Sequence, residues 1–222
     1  MLLRTTLQVV TPPPAEPVSL QLPKLHCRID HSDDDLLLGG HITAARQMAE
    51  SYLSRALITQ TLLWTVLPEN AVRPELSFLS GWIDLPRAPV QSIDTVTVLD
   101  QRGNSTEIAA AALPLVPPAP LLGYMADLAL SPARMMIGAA TVLVDGRTLR
   151  QAALQHVQVQ FTAGYGSPAE PPAAAVVALI PLPIISAILL TVGHLYENRG
   201  DAVAELPPAA QWLLDPYRIM WA

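Results

Sequence analysis

Cysteine occurs once in these 222 residues, at Cys27, so no disulfide can form within the chain, and a single thiol fits synthesis in a reducing cytoplasm. Charge is also scarce. Asp, Glu, Lys and Arg make up 14 % of the residues, against roughly a quarter in a typical soluble domain. Lys24 is the one lysine among 13 basic residues, and nowhere do the arginines gather into a stripe. With a formal net charge of -6, this argues against direct phosphate binding; an acidic wall repels DNA and suits a conduit better than a reader. Met1 to Val10 shows a broken apolar run followed by Thr11-Pro12-Pro13-Pro14, with neither an h-region nor a small-residue cleavage site, so no signal peptide is predicted. No internal repeat is apparent.

Apolar residues and proline are abundant instead, at 51 % and 22 residues. The prolines cluster at 12–17, 114–120, 168–183 and 207–216, punctuating short elements joined by extended connectors. A compact chain of this length buries about 70 % of its unfolded surface, and the apolar excess implies further burial against another chain. Between Glu170 and Glu197 lie 26 residues without charge. Ala173 to Leu195 reaches the roughly 20 residues a bilayer needs, which leaves a membrane-anchored protein using 173–195 as an alternative reading. Pro181 and Pro183 break it, since each interior proline costs a helix about 3 kcal/mol. The run then divides into Ala173 to Ile180 and Ile184 to Asn198, each too short to span. In the second piece Ile185, Ile188, Leu189, Val192, Leu195 and Tyr196 share one helix face, with Ala187, His194 and Glu197 off it. Pro183 suits the first turn, Arg199 complements the negative helix end, and Gly200 is placed for a left-handed C-cap.

Elsewhere, residues 1–17 read as an extended arm, and Ser19 to Ile29 as a short helix despite Pro23. Asp33, Asp34 and Asp35 offer an N-cap to a helix running to about Leu57, on which Leu38, Ile42, Ala45, Ala49, Tyr52 and Ala56 share a face. Gly39-Gly40 delays that start to His41 or is absorbed at about 1 kcal/mol each. Strands are expected at 61–67, 76–84, 90–100, 140–144 and 154–162, with a hairpin loop at 100–104. The strand at 154–162 alternates cleanly and has one wet face. Ala109 to Pro120 is an unassigned connector, and Pro208 to Leu214 a last short helix. The fold class is α+β: a helical bundle from 18–60 and 168–206, an inserted β-rich module at 61–167, and a C-terminal helix and tail at 207–222.

Catalytic patterns are missing. His26, Cys27, Asp30, His31 and Asp33 are metal-ligand types, but their spacing matches no closed zinc pattern. His194 and Glu197 are half of a di-metal carboxylate pair without the other half. Gly164-Tyr165-Gly166-Ser167 is neither nucleophile elbow nor phosphate loop, and Arg199-Gly200-Asp201 coincides with a helix end. No enzyme is expected, no catalytic or metal residue and no cofactor; a metal-dependent hydrolase is the weaker alternative.

Leu85-Pro86-Arg87-Ala88-Pro89-Val90-Gln91-Ser92-Ile93 with Val96, Val98, Leu99, Asp100 and Gly103 resembles the central signature of the head-tail connector (adaptor) proteins of long-tailed phages and gene transfer agents. Further pieces follow in order: Asp33-Asp34-Asp35 with Ala44-Ala45-Arg46 and Glu50, Leu57 to Thr61, Val159 to Gly166, Pro183 with Ala187 to Leu190, His194 to Arg199, and Leu213 to Arg218. The resemblance covers about 18–218 and implies a structural protein of the virion neck. Such adaptors form a homo-oligomeric ring of twelve beneath the portal, continue the DNA channel without sequence-specific binding or membrane contact, and meet a stopper or tail-side neck protein below. The resemblance also marks Tyr196, Glu197, Asn198 and Arg199 as a structural motif. Trp212, Leu213, Leu214, Tyr217, Arg218 and Trp221 are the expected portal-binding residues, on a tail whose removal (208–222) leaves the fold intact.

Overall fold

Pro13 to Gln60 with Gly164 to Ala222 form one compact unit of the computed structural model, and Met1 to Pro12 with Thr61 to Ala163 form another. The described residues are 3–68, 82–100, 105–110, 122–139, 142–144, 147–149, 154–166, 179–199 and 205–220. Helix and sheet are both present, so the fold is α+β.

The first unit holds helices α1 (Gln21–Cys27), α2 (Asp35–Leu53), α3 (Leu182–Glu197) and α4 (Pro208–Leu214), and a 3-10 turn at Asp215–Tyr217. Helix α2 starts at Asp35 and runs through Gly39-Gly40, because burial of Leu38 and Ile42 on its inner face offsets the glycines' cost. It ends at Leu53 rather than near Leu57. Ser54 turns left-handed at φ 55, and Arg28 does the same at φ 56 after α1. At the end of α3 the C-cap is Asn198, whose N–H bonds the His194 carbonyl; Gly200 lies outside the described residues.

Leu38, Ile42, Ala45, Ala49 and Leu53 of α2 pack with Ile184, Ile185, Ala187, Ile188 and Val192 of α3 and with Ala210 and Leu214 of α4. The buried arc of α3 is wider than the six-residue stripe read from spacing. Ala187 is buried and Leu195 and Tyr196 only half-buried, because α1, α2 and α4 all pack on this helix. Buried Thr191 returns its hydroxyl to the Ala187 carbonyl at 2.8 Å. α1 comes so near that a Cβ on Gly193 would stand 3.3 Å from the His26 ring. No described helix is long and apolar enough to cross a membrane; residues 173–178 lie outside the described residues.

The second unit is built on a five-stranded sheet in the order β1-β2-β11-β4-β5: β1 (Leu3–Thr11), β2 (Gln60–Pro68), β4 (Val90–Asp100), β5 (Ser105–Glu107) and β11 (Leu154–Ala163). Residues 3–11 are therefore not a free arm. Their Thr and Val side chains favour extended backbone, and the segment is paired antiparallel with β2, from Leu3 opposite Pro68 to Thr11 opposite Thr61. On β2 every second residue (Leu62, Trp64, Val66) is buried, as are Val157, Val159 and Phe161 on β11. His156, Gln158 and Gln160 are half-buried, so that face is not fully wet.

Strand β4 alternates imperfectly for a structural reason. Opposite β11 its register slips between Thr95 and Ile93, so Asp94 is an extra residue in a bulge. Its carboxylate accepts from Ser92 Oγ at 2.8 Å and Thr162 Oγ1 at 3.0 Å. The described residues of the unit also form a second sheet, β3-β8-β7-β6, and a β10-β9 pair: β3 (Ile83–Asp84), β6 (Ala109–Ala110), β7 (Leu122–Asp127), β8 (Arg134–Ala139), β9 (Val142–Val144) and β10 (Arg147–Leu149). β7 and β8, rich in Gly, Ala and Met, carry little strand propensity and form through their mutual ladder. The Leu85 to Val90 signature leads from β3 into β4, with Leu85 and Ala88 fully buried and Arg87 left-handed at φ 65. Of the strand expected at 76–84, residues 76–81 lie outside the described residues, as do 100–104 of the hairpin loop except Asp100.

Candidate functional site

Two ionic clusters brace the helical unit. The first is buried. Arg46, 6 % exposed at its side chain, bonds Glu16 through Nε at 2.7 Å and Glu50 through Nη1 at 2.9 Å. Thr43 Oγ1 also donates to Glu16 Oε1 at 2.9 Å, tying the proline-rich lead-in to α2. Glu50 Oε1 accepts from the Leu57 N–H at 2.8 Å and Gln60 Nε2 at 2.9 Å. The early end of α2 is what brings Leu57 N–H round to that carboxylate. Burial opposes the Arg46 charge, but Glu16 and Glu50 outweigh it and hold the guanidinium above its ordinary value. Spacing arguments placed α2's apolar face well and missed this pair; the signal was Arg46 and Glu50 at i,i+4 on the same inner side.

The second cluster contains the 196–199 motif. Tyr196 Oη donates to Asp34 Oδ2 at 2.6 Å and Arg199 Nη2 to the same oxygen at 2.9 Å. The Arg199 guanidinium lies 4.3 Å over the Tyr196 ring and its Nε reaches the Tyr196 carbonyl at 3.3 Å. Asn198 Nδ2 closes the helix on the His194 carbonyl at 2.8 Å, while Glu197 is exposed. Asp34 stands at the N-cap position of α2 yet caps nothing with its side chain, because Tyr196 and Arg199 occupy it. The cluster joins the C-terminal end of α3 to the start of α2.

This latch has a pH window. The Tyr196 hydroxyl, then Arg199, hold the Asp34 carboxyl below its usual 3.8, with a smaller push from His31. The Asp34 hydrogen bond holds the Tyr196 phenol above its usual 10.0. A carboxyl with a lowered folded pKa contributes stability above its unfolded value, and that stability is lost as pH falls through the folded one. A phenol with a raised pKa contributes below its unfolded value and loses it as pH rises through the folded one. Urea unfolding against pH should therefore show a steeper loss below pH 3.8 in the native chain than in Asp34→Asn; superimposable acid limbs would refute the latch.

The third feature is the C-terminal surface. α4 packs on α3 and α2. Past it, Arg55 Nε donates to the Tyr217 carbonyl at 2.7 Å, the Ile219 N–H to the Leu53 carbonyl at 3.0 Å, and Tyr52 Oη to Asp215. Arg218 lies 4.7 Å over the Tyr52 ring. The tail is thus stitched to the end of α2. Leu214 is fully buried, with Ala210 and Ile219 beside it in the core, so Leu214 is not available to a partner and removing 208–222 would not leave the fold intact. Leu213 and Tyr217 are partly buried against the core. Trp212 and Met220 stand out, 76 % and 75 % exposed, and Arg218 is also exposed. Trp221 lies outside the described residues. Trp212 is thus a large apolar side chain left open on a helix whose other face is core.

Chemistry-bearing groups do not converge elsewhere among the described residues. Among the described residues no three His, Cys, Asp or Glu side chains are placed to hold a metal ion. Cys27 is a part-buried thiol whose pKa is raised by burial and by Glu197, the reverse of an activated nucleophile.

Residues 17–110 match the family model of Phage gp6-like head-tail connector proteins. Three solved chains share the fold over 98 % of this chain and 97 % of their own length. One is from the neck of an empty gene transfer agent (GTA) particle computed with C6 symmetry, at 22 % identity and a TM-score of 0.63. The others are from the virion of a native GTA particle, at 23 % and 0.62, and the neck of a native GTA particle computed with C12 symmetry, at 23 % and 0.58. At these identities the likeness is one of fold. No curated protein matches the sequence.

Proposed function

We propose, from the match of residues 17–110 to the family model of phage gp6-like head-tail connector proteins, that this chain is a structural connector subunit of a phage-like particle neck. Like copies form a ring that continues the DNA channel and joins head to tail. The observation that carries the reading is that a likeness of fold to neck chains runs through 98 % of the chain, well past the 17–110 match. The net charge of -6 suits a channel wall that lets DNA slide. In this reading the helical unit acts as the frame and the β-rich stretch between Gln60 and Gly164 as a module inserted in it, joined by the N-terminal strand β1, which belongs to the same compact unit. The role is structural and assigns no catalysis.

In this reading the portal sits above and a stopper or tail-side neck protein below. The C-terminal surface meets the portal, through Trp212 as principal anchor, with Leu213, Tyr217, Arg218 and Trp221 around it. Trp212→Ala tests this without touching the core: unfolding stability should stay within about 0.5 kcal/mol. Co-sedimentation with purified portal should weaken on the order of thirtyfold, the loss of about 2 kcal/mol that a central interface tryptophan carries. Undiminished portal binding by this variant would reject the docking assignment and leave the neck role standing.

A further inference from the structure

The five-stranded sheet ends in β1 on one side and β5 on the other, and among the described residues each has a single neighbouring strand. Open edges expose a row of unpaired N–H and C=O groups, and proteins blunt them with lysine, proline, bulges or brevity. β5 is short, three residues. β1 is nine residues long, and from Thr5 to Thr11 it carries no charged side chain; its prolines come only afterwards, at 12 to 14. One register shift, between Val9 and Thr11, confines the irregularity to its last residues. Thr5, Thr6, Gln8, Val9, Val10 and Thr11 are all exposed, Val9 at 55 % and Val10 at 49 %, and Leu7 among them is half-buried.

We propose that β1 of one copy pairs through its free edge with the free edge of β5 in the next copy, so that the sheets of neighbouring subunits run on into one another around the ring. This rests on the neck reading above. A closed cyclic assembly uses heterologous contacts, in which each copy presents two different surfaces. A sheet with two open ends supplies both from one element, and joining them covers the β5 edge and a matching stretch of β1. Ser105, Thr106 and Glu107 of β5 are exposed and available for it. Three residues make a short ladder, so the contact sets the register between copies, while apolar burial elsewhere supplies most of the affinity.

Amide hydrogen exchange on the full chain, as monomer and as assembled rings with and without portal, tests it. In rings, the β1 amides that point away from β2 and the β5 amides that point away from β4 should both exchange on the order of tenfold more slowly or better than in the monomer. Unchanged rates in rings overturn the inference. So do amides already slow in the monomer, slowing of β1 without β5, or slowing that appears only when portal is added to formed rings. If no ring forms with or without portal, the neck reading itself falls and this pairing with it, which imaging distinguishes from a ring with unprotected edges.

Discussion

Glu50→Ala is expected to lower unfolding stability by about 3–5 kcal/mol, the cost of removing one partner from a buried ion pair. That is a large share of the 5–15 kcal/mol by which a typical domain is stable. Three groups lose their acceptor together: the Arg46 guanidinium, the Leu57 N–H and the Gln60 side-chain amide. Arg46 keeps Glu16, so it is not orphaned, but Glu16 is more exposed, at 28 %, and closes only one side of the guanidinium. Glu50→Gln retains a carbonyl oxygen for the Leu57 N–H and should fall between the two chains. Urea titration of the monomer reads the effect directly. A loss below about 1 kcal/mol for Glu50→Ala would mean that water replaces the carboxylate and that the cluster is not sealed.

Gly164→Ala should be as damaging for a steric reason. Gly164 has φ +134, and a Cβ there would sit 2.4 to 2.5 Å from the Ile58 carbonyl carbon and oxygen and the Thr59 nitrogen. Those are backbone atoms and cannot rotate away. The approach is that close because Ile58 bridges to Tyr165, while Thr59 Oγ1 donates to the Tyr165 carbonyl at 3.2 Å. The unfavourable φ and the overlap together should cost about 3 kcal/mol or more. Gly39→Ala is the control, since nothing lies within 4 Å of the added carbon; in a helix interior it should gain roughly 0.5–1 kcal/mol. If both substitutions behaved alike in thermal unfolding, the close backbone approach at Gly164 would be wrong.

These two residues show where sequence reading stops. Gly164-Tyr165-Gly166 carries no catalytic pattern and directly follows β11, but nothing local says that Gly164 faces the backbone of residue 58, more than a hundred positions earlier. Arg46 and Glu50 stand at i,i+4, but spacing did not reveal their pairing, because Glu16 folds back from the proline-rich lead-in to complete the cluster. The same holds for Asp34. Its place before α2 suggested a cap, and its use by Tyr196 and Arg199 needed the far end of α3 to arrive beside it. The tail read as separable, but Ala210, Leu214 and Ile219, three inconspicuous residues, are buried and make it part of the core.

By itself the chain's pattern of apolar periodicity and proline determined the elements: α2, α3 and α4 nearly to the residue at one end or both, β2, β4 and β11 within one or two positions, and the break of the long uncharged run at Pro181 and Pro183. Those features depend on local dihedral limits and on which side chains recur on one face, and both are written in neighbouring residues. Tertiary structure alone decided that 3–11 is a strand, that β7 and β8 exist, where α2 stops, and which side chains of α4 are core and which are surface. Each of these is settled by a partner distant in sequence, through a backbone ladder, a buried carboxylate or a packed face, and its energy appears only once the chain has closed on itself.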